Sequence, residues 1–181
     1  MSPSVYREKG SHAVFRVANS TGDKRAFSVS VEDLPPLRCA GIDHKGSYME
    51  IDHAMGRLFT ELAARQALPT EPAMIGVFFD DPDLGAEEDL RSRACIPVAS
   101  SVIDMPLVET MLRGGLYAKL SYTGPYADMR GAYRWLLGAW LPASGYEPDE
   151  APIYEAYLND PREVPQAELR TDIHLPLKAV T

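Results

Sequence analysis

One carboxylate stands inside a segment that is otherwise built for burial. Ile153-Tyr154-Glu155-Ala156-Tyr157-Leu158 reads as a β-strand, and Glu155 is its single charge. Alternation sets Ile153, Glu155 and Tyr157 on one face and Tyr154, Ala156 and Leu158 on the other. The second face suits packing under a helix, which leaves the first to line a groove. A buried carboxylate costs several kcal/mol unless it is paired, so an organic cation is a natural partner. Tyr157 shares the strand face of Glu155. Ring faces attract cations, and Phe78, Tyr48, Tyr126, Tyr122, Trp135 and Trp140 are further candidate walls. His44 is a candidate contact. Each has a plainer reading as well. Glu155 can be an edge-strand glutamate or half of an internal salt bridge. Trp140 and Tyr133 lie on a helical stripe and suit core packing, Tyr48 and Tyr126 can anchor helix starts, and His44 suits a hydrogen-bonded structural role.

Other chemistries lack their residues. The sequence shows no Ser-His-Asp set, no phosphate-cradling glycine loop and no cluster spaced for a metal. Cys39 and Cys95 stand singly in apolar surroundings and read as buried, reduced thiols. We therefore expect no cofactor, no metal and no catalytic residue. Glu155 activating water with Tyr157 as proton donor is the one catalytic alternative.

The elements that position these residues come from a repeat. Asp81/Asp160, Pro82/Pro161, Leu90/Leu169, Arg91/Arg170 and Pro97/Pro176 coincide at a shift of 79, and Gly46-Ser47-Tyr48 aligns with Gly124-Pro125-Tyr126 at a shift of 78. Recurring turn residues are read as structural. Each copy predicts strand, helix, strand, strand. In the first these are Arg38 to His44, a helix with Ile51, Met55, Leu58, Phe59 and Leu62 on one face, Met74 to Phe79, and Arg91 to Val98. In the second they are Gly115 to Tyr122, Tyr126 to Leu141, Ile153 to Leu158, and Glu168 to Leu177. The expected fold class is α+β: two tandem β-α-β-β modules (27–98 and 113–178) related by a pseudo-twofold, with antiparallel sheets, two main helices and a ligand groove between modules. Residues 99–112 read as a link. Ala13 to Val17 and Ala26 to Val31 suggest an extra hairpin. At a shift of 79, Glu155 corresponds to Gly76, which is expected to leave room beside the charge.

The 181 residues are 45% hydrophobic and 24% charged, with a net charge of −8. Residues 1–26 hold five basic and two acidic side chains, or +3, so residues 27–181 carry −11. That acidic body repels phosphate backbones. No apolar run is long enough to cross a bilayer and the N-terminus has no signal-peptide core, so a cytoplasmic protein without membrane contact is expected.

Pro36-Leu37-Arg38-Cys39-Ala40, His44-Lys45-Gly46-Ser47-Tyr48, Ile75 to Pro82, Gly114 to Ala118, Gly124-Pro125-Tyr126 and Tyr154 to Pro161, in this order, resemble the GyrI-like small-molecule-binding domain over roughly residues 27–178. The resemblance implies a fold of two tandem strand-helix-strand-strand modules and lipophilic, often cationic ligands, with the family's key acid at Glu155. It also implies a role as a sensor domain of a regulator. Alternatives within the family are a stand-alone protein that engages gyrase and a hydrolase of cyclopropane-bearing genotoxins. Ser2-Pro3-Ser4-Val5-Tyr6-Arg7 looks like the last turn of an AraC-type DNA-binding domain. The expected organisation is thus a basic leader, residues 1–26, ahead of an effector-binding domain, residues 27–181. DNA contact would then belong only to an absent N-terminal domain.

Overall fold

Short apolar segments bounded by glycine and proline become strands, and the one long 3.6-periodic stretch in each copy becomes a helix. The computed structural model describes residues 15–18, 26–99 and 103–180. Its strands are β1 (Phe15–Ala18), β2 (Ala26–Leu34), β3 (Leu37–Lys45), β4 (Met74–Phe78), β5 (Arg91–Pro97), β6 (Val108–Leu112), β7 (Gly115–Thr123), β8 (Ile153–Tyr157) and β9 (Arg170–Pro176). Helix α1 is Ile51–Ala64. The second helical stretch runs from α2 (Arg130–Trp135) through a π turn (Leu136–Trp140) into α3 (Leu141–Ser144). It ends at Gly145, whose φ of 79° a side chain would resist. The class is α+β, with antiparallel strands and two main helical stretches, as expected. Most of the basic leader, residues 1–26, lies outside the described residues.

The chain divides into two units. One contains residues 35–114 and 152–157. Its strands follow the order β8-β4-β5-β3-β6, and every pair is antiparallel. α1 lays Ala54, Met55, Leu58 and Leu62 on Ala40, Ile42, Ala94 and Ile96 of the sheet, burying all eight. The other unit contains the described residues up to Leu34, residues 115–151 and those from 158 on. Its strands follow β1-β2-β7-β9. Its helical stretch packs Trp135 against Phe27 of β2, ring centroids 5.4 Å apart.

The duplication extends to individual hydrogen bonds. Gly46 N–H donates to the Leu90 carbonyl and Gly124 N–H to that of Leu169, both at 2.8 Å. Asp81 and Asp160 each accept a 2.8 Å bond from the backbone N–H two residues on, closing their turns. The Arg91 N–H donates to the Asp80 carboxylate and the Arg170 N–H to the Asn159 side chain. The repeat also reaches one strand further than the sequence suggested. Residues 99–112, read as a link, contain β6. At a shift of 78, β6 is the counterpart of the end of β2, and the registers agree: Leu34 pairs with Gly115, Leu112 with Leu37. The strand before the first copy therefore pairs in the second, and the strand before the second copy pairs in the first. Each copy's three strands gain a fourth by this exchange.

Candidate functional site

β4 and β8 are counterparts in the two copies, and they pair with each other. Their antiparallel register sets Gly76 opposite Glu155, Met74 opposite Tyr157 and Phe78 opposite Ile153. Only at the centre of the pairing does a residue face its own counterpart, and there one copy has a carboxylate and the other a glycine. Cross-strand partners share a sheet face. Gly76 also pairs with Ala94, which lies under α1. Glu155 and Tyr157 therefore lie on the α1 side of this sheet. This corrects the sequence reading, which put the opposite set, Tyr154, Ala156 and Leu158, under a helix. Alternation sorts residues into two sets; only the pairing partner tells which set the helix covers.

Glu155 is buried, 8% exposed. The Tyr157 hydroxyl donates to its Oε1 at 3.0 Å. The space over Gly76 is filled rather than open, a second correction: a Cβ there would lie 2.6 Å from the Tyr157 hydroxyl and 3.0 Å from Phe78 Cζ. The phenol tip of Tyr157 uses the volume that the glycine leaves. Phe78 meets Tyr48 edge to face, centroids 4.7 Å apart. Tyr48 opens the short turn before α1 and is fixed at its far end. Its hydroxyl donates to the Asp80 carbonyl (2.7 Å) and accepts from the Asp80 N–H (3.0 Å). Burial raises the Tyr48 hydroxyl above its ordinary pKa, so it stays a neutral donor. Asp80 is held below its ordinary value by its hydrogen bonds to Arg91, Nη2 to Oδ1 at 2.8 Å.

Glu155, Tyr157, Phe78 and Tyr48 thus belong to one unit: the Tyr157 hydroxyl donates to the carboxylate, the Phe78 ring edge lies beside that hydroxyl over Gly76, and Tyr48 packs on Phe78. The other candidates are placed differently. The His44 ring lies 3.0 Å from the Ser47 carbonyl, and the hydroxyl of its counterpart Tyr122 donates to the Pro125 carbonyl at 2.7 Å. Two different side chains thus brace the same turn. Tyr122, Tyr126, Trp135 and Trp140 belong to the other unit. There Trp140 is buried and stacked on Tyr146, centroids 6.3 Å apart, and Tyr126 is half-buried at a turn start. Sequence reading passed over Asp80, whose backbone seats Tyr48. It also passed over Ser92 and Thr171, counterparts that are both fully buried with hydroxyls lacking a hydrogen-bond partner among the described residues. The repeated Leu-Arg-Ser/Thr spacing was the available signal for that pair. Among the described residues no group of three His, Cys, Asp or Glu could hold a metal, and no helix is long and apolar enough to cross a membrane.

The chain matches the family model described as GyrI-like small molecule binding domain over residues 27–178. It is 28% identical over 154 residues to the probable transcriptional regulator YgiV of Escherichia coli (strain K12), covering 83% of this chain and 96% of that protein. It is 32% identical over 141 residues to the DNA gyrase inhibitor of Yersinia enterocolitica, covering 75% of this chain and 89% of that one. In fold, 85% of the chain superposes on the EcmrR C-terminal domain with a TM-score of 0.68 at 16% identity, covering 99% of that domain. In the EcmrR–DNA complex the TM-score is 0.72, and the chain spans 58% of the EcmrR chain.

Proposed function

This chain belongs to the GyrI-like small-molecule-binding family, and from that premise we propose that it senses lipophilic cations as the effector-binding part of a transcription regulator of AraC type. The observation that carries the reading is the buried Glu155 at the centre of the β4–β8 pair, bonded by the Tyr157 hydroxyl, which lies against Phe78 of the Phe78–Tyr48 ring pair. A carboxylate held away from water carries, while charged, a desolvation cost of several kcal/mol. A ligand cation offsets that cost by direct charge pairing and by contact with the ring faces. A neutral ligand of the same shape gains only from the apolar contact. Relatedness to the E. coli regulator supports the regulatory role. The test is a thermal-shift comparison of (biphenyl-4-ylmethyl)trimethylammonium with neutral biphenyl-4-ylmethanol. Ligand at free concentration L stabilises the folded state that binds it by RT ln(1 + L/Kd), and the melting temperature rises accordingly. The cation should raise it at concentrations where the alcohol does not; equal shifts would remove the case for charge selection.

A second reading, contact with DNA gyrase, is favoured by the 32% identity to the Yersinia gyrase inhibitor. A supercoiling assay with added protein separates the two: inhibition independent of ligand would support gyrase as the partner.

A further inference from the structure

We propose that Gly76 and Tyr157 form a one-atom subsite on Glu155, which selects ligands carrying a protonated N–H over quaternary cations of the same body. The inference rests on the cation-sensing reading above and narrows its ligand class.

The argument begins with Gly76. Any other residue would put its Cβ where the Tyr157 hydroxyl now lies, 2.6 Å away, with Phe78 Cζ at 3.0 Å and Cε2 at 3.2 Å closing the same space. The Tyr157 hydroxyl is thus a single heavy atom seated over the glycine backbone, with the Phe78 ring edge beside it. This hydroxyl is an O–H donor, 3.0 Å from Glu155 Oε1. Tyr157 is only half-buried, and its hydroxyl is the far end of a long side chain. Binding of an amine here requires the Tyr157 side chain to rotate away from this space.

A protonated amine fits what the hydroxyl leaves behind. Its N–H keeps a donor on Oε1 and adds a full positive charge, and bonds of that kind are roughly twice as strong as neutral ones. A trimethylammonium group presents only methyls. It is too large for a one-atom space and offers Oε1 no hydrogen bond, so it meets the carboxylate from farther off with Tyr157 still in place. Coulomb attraction falls with that distance. The Tyr157 hydroxyl is thus the resident stand-in for an ammonium nitrogen, and every amine must displace it.

The test is calorimetric titration of the full chain with biphenyl-4-ylmethylamine, protonated at pH 7, and with its N,N,N-trimethyl form. The proteins are the unaltered chain, Tyr157→Phe, Gly76→Ala and Glu155→Gln, each checked for folding by circular dichroism and thermal melting. The unaltered chain should bind the amine roughly tenfold tighter than the quaternary form. Tyr157→Phe, with no resident donor to displace, should bind the amine several-fold tighter still and leave the quaternary cation unchanged. Gly76→Ala, with a methyl in the subsite, should erase the preference; if it fails to fold, Tyr157→Phe carries the test alone. Equal affinities in the unaltered chain, both weakened by Glu155→Gln, would overturn the subsite while the cation-sensing reading stood. Binding of neither probe would overturn both.

Discussion

Glu155 and Gly76 are the same position in two copies of one unit, and their difference is where the duplicated fold departs from its own symmetry. The carboxylate was legible in the sequence because a lone charge interrupts an apolar strand. Its neighbour Tyr157 followed from alternation alone. What could not be read was the side of the sheet, and that the Tyr157 hydroxyl folds back over the glycine. Those facts depend on which strand pairs beside β8, a contact between residues 79 positions apart. The two thiols were read correctly as buried, and both Cys39 and Cys95 are fully buried and free. Burial pushes Cys39 up to about 11, and burial together with the nearby Cys39 thiol pushes Cys95 up to about 12, from the ordinary thiol value of 9.0. Folded thiols therefore stay protonated where unfolded ones ionise, so their contribution is complete below pH 9 and is lost as pH rises towards 11 to 12. We expect stability to denaturant to decline between pH 9 and 11, by up to about 1.4 kcal/mol per thiol per pH unit. Replacing both cysteines with alanine should flatten that decline. An unchanged slope would place the titration elsewhere.

Elements are held by turns that both copies share, and here the sequence was most legible. Asp81 and Asp160, read as turn closures, each accept the backbone N–H predicted by their type. The Arg91 side chain also bonds the turn that it follows, through the Asp80 carboxylate. β6 was missed for a physical reason. Val108-Glu109-Thr110-Met111-Leu112 is short, and it shares only Leu112 with its counterpart Ser30-Val31-Glu32-Asp33-Leu34. An edge strand needs only one well-packed face, so its sequence is weakly constrained and its repeat is faint. The second helical stretch also runs past the expected Leu141 to Ser144, because Pro142 falls in the first turn of α3, where its missing N–H is no loss. Tyr48 links these elements to the site, one end on Phe78 and the other on Asp80. Tyr48→Phe keeps the ring and removes the hydroxyl, leaving the Asp80 N–H without that acceptor. We expect a stability loss of about 1 kcal/mol and faster amide exchange at Asp80, with exchange in the preceding strand β4 unchanged. Unaltered exchange at Asp80 would show that Tyr48 does not seat this loop.

At the scale of the whole molecule, charge and site point to the same kind of partner. The net charge of −8 opposes phosphate backbones and favours cations in general. Residues 1–181 should accordingly show no appreciable affinity for duplex DNA at physiological salt, measured by fluorescence anisotropy; tight, salt-sensitive binding would move the function onto the acidic body itself. The central claim is narrower: the charge of Glu155, rather than its shape, selects the ligand. Glu155→Gln tests it most directly, since it keeps the size and hydrogen-bonding capacity and removes only the charge. Calorimetric titration of protonated biphenyl-4-ylmethylamine and the matched neutral alcohol into both proteins is the deciding measurement. The cation should bind the Gln protein more weakly by about 1.5–3 kcal/mol, the scale of a hydrogen bond to a charged group. The alcohol should lose far less, and the fold should keep or gain stability. Equal losses for the two ligands, or no loss for either, would contradict the account and make Glu155 a structural residue.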